Sequence, residues 1–356
     1  MEKKIRIGII GCGGIATCAH VPAFKVMPEA EITAICDIIP EKMDKIEKLI
    51  DGKVEKYTDY KKLLDNKNVD AVHICTPNCF HSEMAVAALE KGKHVFCEKP
   101  DAMNVTEVIK MRDTAKKSKS VLMVMRNNRH LNSSKYLKKK IENGEFGDLY
   151  CGRCGWIRRR GIPGKGGWFT TKSLSGGGPL IDLGVHMIDL SIYLMGNPRP
   201  VAVSGSVYNH FADGGDISDS QHSAFGDKVK DGIFDVEDHA IGFVRFENGA
   251  SLQIEFSWAS NIEAEKNFVE LRGSKAGFTW ENGKCRIFGE ENGALTDIMP
   301  AFGADNGHKN NIQHFLNVIN KKEKPDFVIE QGVHMIKILQ AIYESAKTGK
   351  EILLNN

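Results

Sequence analysis

Three residues of this chain, Lys99, Asp182 and His186, have the side-chain types needed to move a proton at an alcohol oxygen. Imidazole titrates near neutral pH and acts as a general base, while an ammonium hydrogen-bonds an oxygen on which negative charge develops. Asp182 and His186 stand four apart in a segment that runs from Ser175 through three glycines and Pro179 to Asp189. A helix opening at the proline puts them on one face, and Asp189 joins them three residues on. A lone helical histidine is usually a packed residue; one flanked by two carboxylates on its own face favours catalysis. Lys99 ends the run His94-Val95-Phe96-Cys97-Glu98-Lys99-Pro100, where the proline keeps it extended at a strand end. The plain alternative is a solvated lysine after a strand.

A hydride carrier is legible at the other end of the chain. Gly11-Cys12-Gly13-Gly14-Ile15-Ala16 directly follows the strand-like run Ile5 to Ile10 and opens a helix, the context that gives a glycine pattern meaning. Gly11 permits a tight turn, Gly13 lets a pyrophosphate approach the backbone, and small Ala16 allows close helix packing. Gly14 and Ile15 open the helix whose unpaired amides face the phosphates. The alternative is a glycine-rich turn with no ligand. Asp37 ends the second strand about twenty residues later, placed to accept both ribose hydroxyls of an adenosine. With Ile38 and Ile39 rather than arginine after it, NAD is favoured over NADP. Thr76-Pro77-Asn78 closes the next strand and should line the same groove, with His81 either beside it or simply in the first helical turn.

These residues need a scaffold, and the pattern supplies one. Short apolar runs at Ile5–Ile10, Glu31–Cys36, Ala71–Cys75, His94–Cys97 and Val121–Met125 alternate with helical stretches such as Ser82–Lys91 and Val105–Lys117. That rhythm predicts an α/β fold: an N-terminal Rossmann domain with a doubly wound parallel sheet over residues 1–126. Residues 127–356 read instead as an α+β domain with a large, mostly antiparallel open sheet. Asn248-Gly249 and Asn282-Gly283 are expected to be type I′ hairpin turns there. The Gly/Asp/Ser-rich stretch 209–235 is expected to be mobile or a partner-contacting arm, and a helix from Gln331 to Lys347 precedes a short apolar tail.

Bulk composition narrows the classes. The 356 residues carry 48 Lys and Arg against 46 Asp and Glu, a net charge of +2 that argues against nucleic acid as a partner. No apolar run is long enough to span a membrane, and the run after the N-terminal charges is too brief for a signal segment. Nine cysteines, several at strand ends, argue against a disulfide framework and for a cytoplasmic protein. Cys151 and Cys154 have no second pair at metal spacing, so no metal site is expected.

The substrate end is read from the stretch between Trp156 and Phe169, rich in Arg, Gly and Trp. Trp168 offers a face for a sugar ring, and Arg158, Arg159 and Arg160 could clamp hydroxyls or an anion. A basic solvated loop or a subunit interface is the competing use. His308, Asn311 and His314 open a helix near the C-terminus; His308 is counted as a substrate contact, though surface or packing roles are favoured for the group.

Taken in order, the glycine turn, Glu98-Lys99-Pro100, Asn128-Arg129, the helix from Gly176 to Leu190, and Glu344-Ser345-Ala346 with Thr348-Gly349-Lys350 resemble the Gfo/Idh/MocA family of oxidoreductases. The resemblance implies a catalytic set of Lys99, Asp182 and His186, with Glu98, Lys99 and Arg129 beside the cofactor. It also implies a homodimer or homotetramer assembled through the second domain's sheet. Asp101 departs from the aliphatic residue common after the triplet. The expected activity is NAD(H)-dependent hydride transfer at a secondary alcohol of a neutral or anionic sugar, sugar derivative or cyclitol, with His186 as general base. Two alternatives stand beside it: an NAD-dependent glycosidase working through transient oxidation and elimination, and a non-catalytic cofactor sensor.

Overall fold

The apolar runs of the first half become six parallel strands in the computed structural model, which describes residues 4–50, 52–214, 217–220 and 225–354. They are β1 (Ile5–Ile10), β2 (Ala30–Cys36), β3 (Glu55–Tyr57), β4 (Ala71–Ile74), β5 (His94–Cys97) and β6 (Leu122–Val124), in the order β3-β2-β1-β4-β5-β6. Helices cover both faces of such a sheet, so its strands read as apolar runs rather than alternations, and β4 is buried at every position. Strand order reverses between β1 and β4, the switch point outside whose carboxyl ends ligands bind in open α/β sheets. Ladder bonds run past the strand ends: the amides of Gly11, Cys75 and Glu98 donate to the carbonyls of Cys36, Ile10 and Ile74 at 2.8, 2.7 and 2.9 Å. The glycine turn, the Thr76 loop and the Lys99 segment are thereby fixed at one sheet edge.

The chain groups into two compact units, one running to Asn127 and taking in Gly307–Val333, the other formed by Asn128–Asn306 and the residues from His334 onward. By this grouping residues 307–333, far along the chain, belong with the first unit. Helix Gly307–Ile319 places Ile312, Phe315 and Leu316 in the same apolar cluster as Ile7, Ile9 and Phe96. Asp101 holds this segment: fully buried, it pairs with Arg126 at 2.6 Å, while the Arg126 amide donates to Asn311 at 2.7 Å and its guanidinium lies 4.9 Å over Phe327. A Cβ on Gly332 would fall 2.2 Å from Asp101 Oδ1, so glycine is required there.

The second unit is built on nine strands: β7 (Leu149–Ile157), β8 (Pro200–Tyr208), β9 (His239–Phe246), β10 (Ser251–Ser257), β11 (Lys266–Gly273), β12 (Gly277–Glu281), β13 (Lys284–Glu291), β14 (Ala294–Ile298) and β15 (Ile352–Leu353). Their order is β14-β13-β12-β11-β7-β10-β9-β8-β15, and every pairing is antiparallel except β7 with β10. Asn282 and Gly283 both have positive φ, as a type I′ turn requires, and Asn292-Gly293 repeats the device. Asn248-Gly249 does not: only Gly249 has positive φ, and the Phe246 amide donates to Ala250 O. That is a three-residue loop with glycine in the left-handed position, which an Asn-Gly pair serves equally well.

Positions 215–216 and 221–224 of the 209–235 stretch lie outside the described residues. Elsewhere the stretch is hydrogen-bonded onto the preceding loop, Val229 and Asp235 donating their amides to Lys165 O and Thr170 O at 3.0 and 3.1 Å. Cys151 and Cys154 sit three apart on β7 and so on opposite faces. Among the described residues no helix is long and apolar enough to cross a membrane.

Candidate active site

Gly11 adopts φ +95°, and a Cβ there would lie 2.6 Å from the Cys75 carbonyl, so any side chain would push β1 and β4 apart. Around Gly13, in contrast, a Cβ would meet nothing within 4 Å, leaving the backbone open to a ligand. The helix that follows opens with a π-helical turn at Ala16–His20, anchored by Thr17 Oγ1 and its amide on Gly13 O. Asp37 stands where expected, its Oδ2 accepting the Cys12 amide at 2.7 Å and its Oδ1 the Ile39 amide at 2.9 Å. This open backbone, helix start and strand-end carboxylate fit a dinucleotide.

His81 is buried, with Nδ1 2.8 Å from Pro100 O and Nε2 3.0 Å from Thr76 O. It braces the Thr76 loop against the Lys99 segment, the packed alternative rather than an exposed contact. Burial lowers its pKa despite both carbonyls. Glu98 is also buried and accepts from His20 Nε2 at 2.7 Å. Burial alone would raise its carboxyl, but the hydrogen bond and charge of His20, then His308 and Lys99, lower it to about 2. His308 therefore belongs with Glu98 and Lys99 in the first unit; burial lowers its pKa, Glu98 opposes, and His20 and Lys99 reinforce the fall.

In the second unit Gly177 and Gly178 pack tightly rather than flex, while Gly176 takes a positive φ at the end of the preceding helical turn. A Cβ on Gly177 would fall 1.9 Å from Tyr343 Oη, and one on Gly178 1.9 Å from Glu237 O. Glu237 caps the helix start, accepting from the Leu180 amide at 3.2 Å and Tyr343 Oη at 2.9 Å; burial raises its pKa. The chain then forms a π-helical turn, Leu180–Gly184, and the helix Val185–Leu194. Over Leu180–Leu194 all residues are buried except Asp182, His186 and Tyr193. Such π-turns recur at functional sites. Trp258 Nε1 donates to Asp182 Oδ2 at 3.0 Å, and the Trp156 ring lies 6.2 Å from that of His186.

Several expected contacts are otherwise engaged. Both oxygens of Asp189 accept from Arg129, at 2.8 and 2.6 Å, with Tyr193 under the guanidinium; Arg129 is a buried strut of the second unit, and Asp189 is its counter-ion. Arg158 is 3% exposed, donates to Gly161 O, and lies 3.7 Å from Glu265 and 5.0 Å over Trp156. Burial lowers its pKa, with Asp182 and Glu265 opposing. Arg159 pairs with Asp219 at 2.5 Å. Arg160 donates to Ser260 O and Asn261 Oδ1, stacks on Phe211, and lines a cleft with Lys165 and Lys228. Trp168 stacks on Phe169 at 3.8 Å. His314 is held by Glu323 and Asp326 in the first unit.

Residues 5–126 match the model of an oxidoreductase family with an NAD-binding Rossmann fold, and residues 138–354 match that family's C-terminal alpha/beta domain. The chain belongs to the Gfo/Idh/MocA oxidoreductase family. Among its relatives, D-glucoside 3-dehydrogenase of Escherichia coli K12 is 32% identical over 99% of this chain and 98% of its own length. Myo-inositol 2-dehydrogenase of Thermotoga maritima is 29% identical over 86% of this chain and 81% of its own. Levoglucosan dehydrogenase, in complex with NADH and levoglucosan, shares the fold at TM-score 0.85 and 23% identity, covering 99% of this chain and 100% of that one.

Within this Gfo/Idh/MocA chain, Trp258, Glu237 and Tyr343 brace the segment that carries Asp182 and His186 from distant positions that no motif marks. Nor does any motif mark His20 and His73. His73 did leave a signal: it is the one polar residue in the apolar strand Ala71-Val72-His73-Ile74.

Proposed function

We propose that the protein is an NAD(H)-dependent dehydrogenase acting on a secondary alcohol of a sugar or cyclitol ring. Bound NAD would supply the hydride acceptor at the carbinol carbon. His186 takes the hydroxyl proton, Lys99 hydrogen-bonds the same oxygen and stabilises its developing charge, and Asp182, fixed by Trp258, orients the hydroxyl. The observation that carries this reading is the pair Asp182 and His186, half-buried side by side on a segment where, over Leu180–Leu194, every other residue but Tyr193 is buried.

Gly11, Gly13, Gly14, Ile15 and Ala16 cradle the pyrophosphate, with Thr76, Pro77 and Asn78 along the groove. Asp37 followed by Ile38 and Ile39, with no adjacent cation, supports NAD over NADP. Similarity to the glucoside and inositol dehydrogenases supports a ring polyol, and the ion pairs of Arg158 and Arg159 favour an uncharged one. Free thiols at all nine cysteines support a cytoplasmic enzyme. Exposed Ile241 and Phe288, on one face of the nine-stranded sheet, support a homo-oligomer formed through it.

A panel of glucosides, free sugars, uronates, sugar phosphates and inositols, each with NAD and with NADP, tests the reading. Nicotinamide absorbance and aglycone release are followed together. Stoichiometric NADH from a neutral polyol is expected; aglycone release without net NADH identifies a glycosidase instead, and NAD binding without any turnover identifies a sensor.

A further inference from the structure

Three buried ionisable side chains beside Lys99 have no part in the chemistry above, yet they are joined in a line. His20 and His73 are both 0% exposed, with their Nδ1 atoms 2.8 Å apart. His20 Nε2 donates to Glu98 Oε1 at 2.7 Å, and Glu98 Oε2 accepts the Lys99 amide at 3.3 Å. His73 is wedged among Phe24, Phe96 and Phe315, with ring centroids at 4.9, 4.9 and 5.6 Å, and its Nε2 has no hydrogen-bond partner. An orphaned polar atom in an apolar strand destabilises the fold, so the arrangement calls for a compensating role.

We propose that His20, braced by His73, is a positioning residue that pins the Glu98 carboxylate beside Lys99, giving the ammonium a fixed negative neighbour while it holds the reacting oxygen. This rests on the dehydrogenase reading above. Glu98 accepts a hydrogen bond on each oxygen, which the ionised carboxylate does without competition from a proton of its own. The groups facing it are His20 from the first helix, His308 from helix Gly307–Ile319, and Lys99 on its own segment. His81 and the thiols of Cys18, Cys75 and Cys97 also sense its charge. Burial pushes the Glu98 carboxyl up, and His20 is the foremost influence pulling it down to about 2. Without His20, burial gains the upper hand and Glu98 takes up a proton at higher pH.

The test compares His20→Gln, His73→Phe, Glu98→Gln and the double variant H20Q/E98Q as full-length protein. Glu98 ionisation is read by carbon NMR of glutamate-labelled protein, its signal assigned by loss in E98Q, and kcat is read against pH. In the wild type the acid limb of kcat is set by His186; in H20Q the Glu98 titration is expected to rise by about one pH unit or more, and that limb to steepen from one proton toward two at the raised value. H73F should move both less, in the same direction. E98Q should leave the His186 limb with a single-proton slope, and adding H20Q to it should not steepen it. An unmoved Glu98 titration in H20Q and H73F, or an acid limb of unchanged steepness in H20Q, overturns the proposal. If the wild type oxidises no polyol, the dehydrogenase reading fails, while the NMR titration still decides whether His20 governs Glu98.

Discussion

Trp258, the residue after β10, donates its indole N–H to Asp182 Oδ2 at 3.0 Å, locking a carboxylate one helical turn before His186. Phenylalanine would keep much of the ring packing and delete the donor. Trp258→Phe is expected to lower kcat about tenfold, equivalent to about 1.4 kcal/mol and in keeping with one hydrogen bond to a charged group. NAD affinity should be unchanged. Steady-state kinetics with a fluorescence titration of NAD measures both.

Arg129 and Asp189 form a bidentate pair with almost no solvent contact. Removing one partner strands a buried charge, so Arg129→Ala should destabilise the protein by about 3–5 kcal/mol in urea unfolding. NAD binding measured under native conditions should persist. Normal stability with lost NAD binding would instead support the cofactor role implied by the family motif.

In the proposed NAD site the Asp37 carboxylate would repel a 2′-phosphate, and the neighbouring Ile38 is 83% exposed. Asp37→Ser with Ile38→Arg should shift the ratio of kcat/KM for NADP over NAD by at least about tenfold, the scale of one charged hydrogen bond. Parallel kinetics with the two cofactors gives the ratio. An unchanged ratio would place cofactor choice elsewhere.

His314 predicts a pH dependence of stability. Burial lowers its pKa, but Asp326 and Glu323 raise it more, so the folded value lies above the ordinary 6.5. A raised histidine binds its proton more tightly when folded. Its contribution is therefore complete below 6.5 and disappears as pH rises through the folded value. The Tm of the wild type should fall across that window, and His314→Gln should remove this part of the fall; parallel Tm curves would contradict the assignment.

Local chemistry made the first unit legible. A glycine with positive φ, a strand-end Asp and an apolar strand closed by Glu98-Lys99-Pro100 each announce themselves within a few residues. The i, i+4 spacing of Asp182 and His186 did the same for the helix that carries them. What escaped depends on long-range pairing: Trp258 reaches Asp182 across 76 positions, and Arg126 reaches Asn311 across 185. Asp189 shares its helix face with His186, and the ion pair it makes with Arg129 is invisible to helical periodicity. Arg158 reads as a clamp because arginines are usually exposed; here the Trp156 ring and Glu265 make its burial tolerable. Asn248-Gly249 was correctly a hairpin and wrongly a type I′ turn, because the same dipeptide serves two loop lengths.

Hydride transfer from a carbinol carbon, dependent on His186, is tested by oxidising a ring polyol deuterated at the reacting carbon and locating the label by mass spectrometry, in the wild type and in His186→Ala. One deuterium should move to the reduced nicotinamide in the wild type, and His186→Ala should bind NAD normally but lose most of the transfer. Label retained by the sugar or lost to water, or full transfer in His186→Ala, would contradict it.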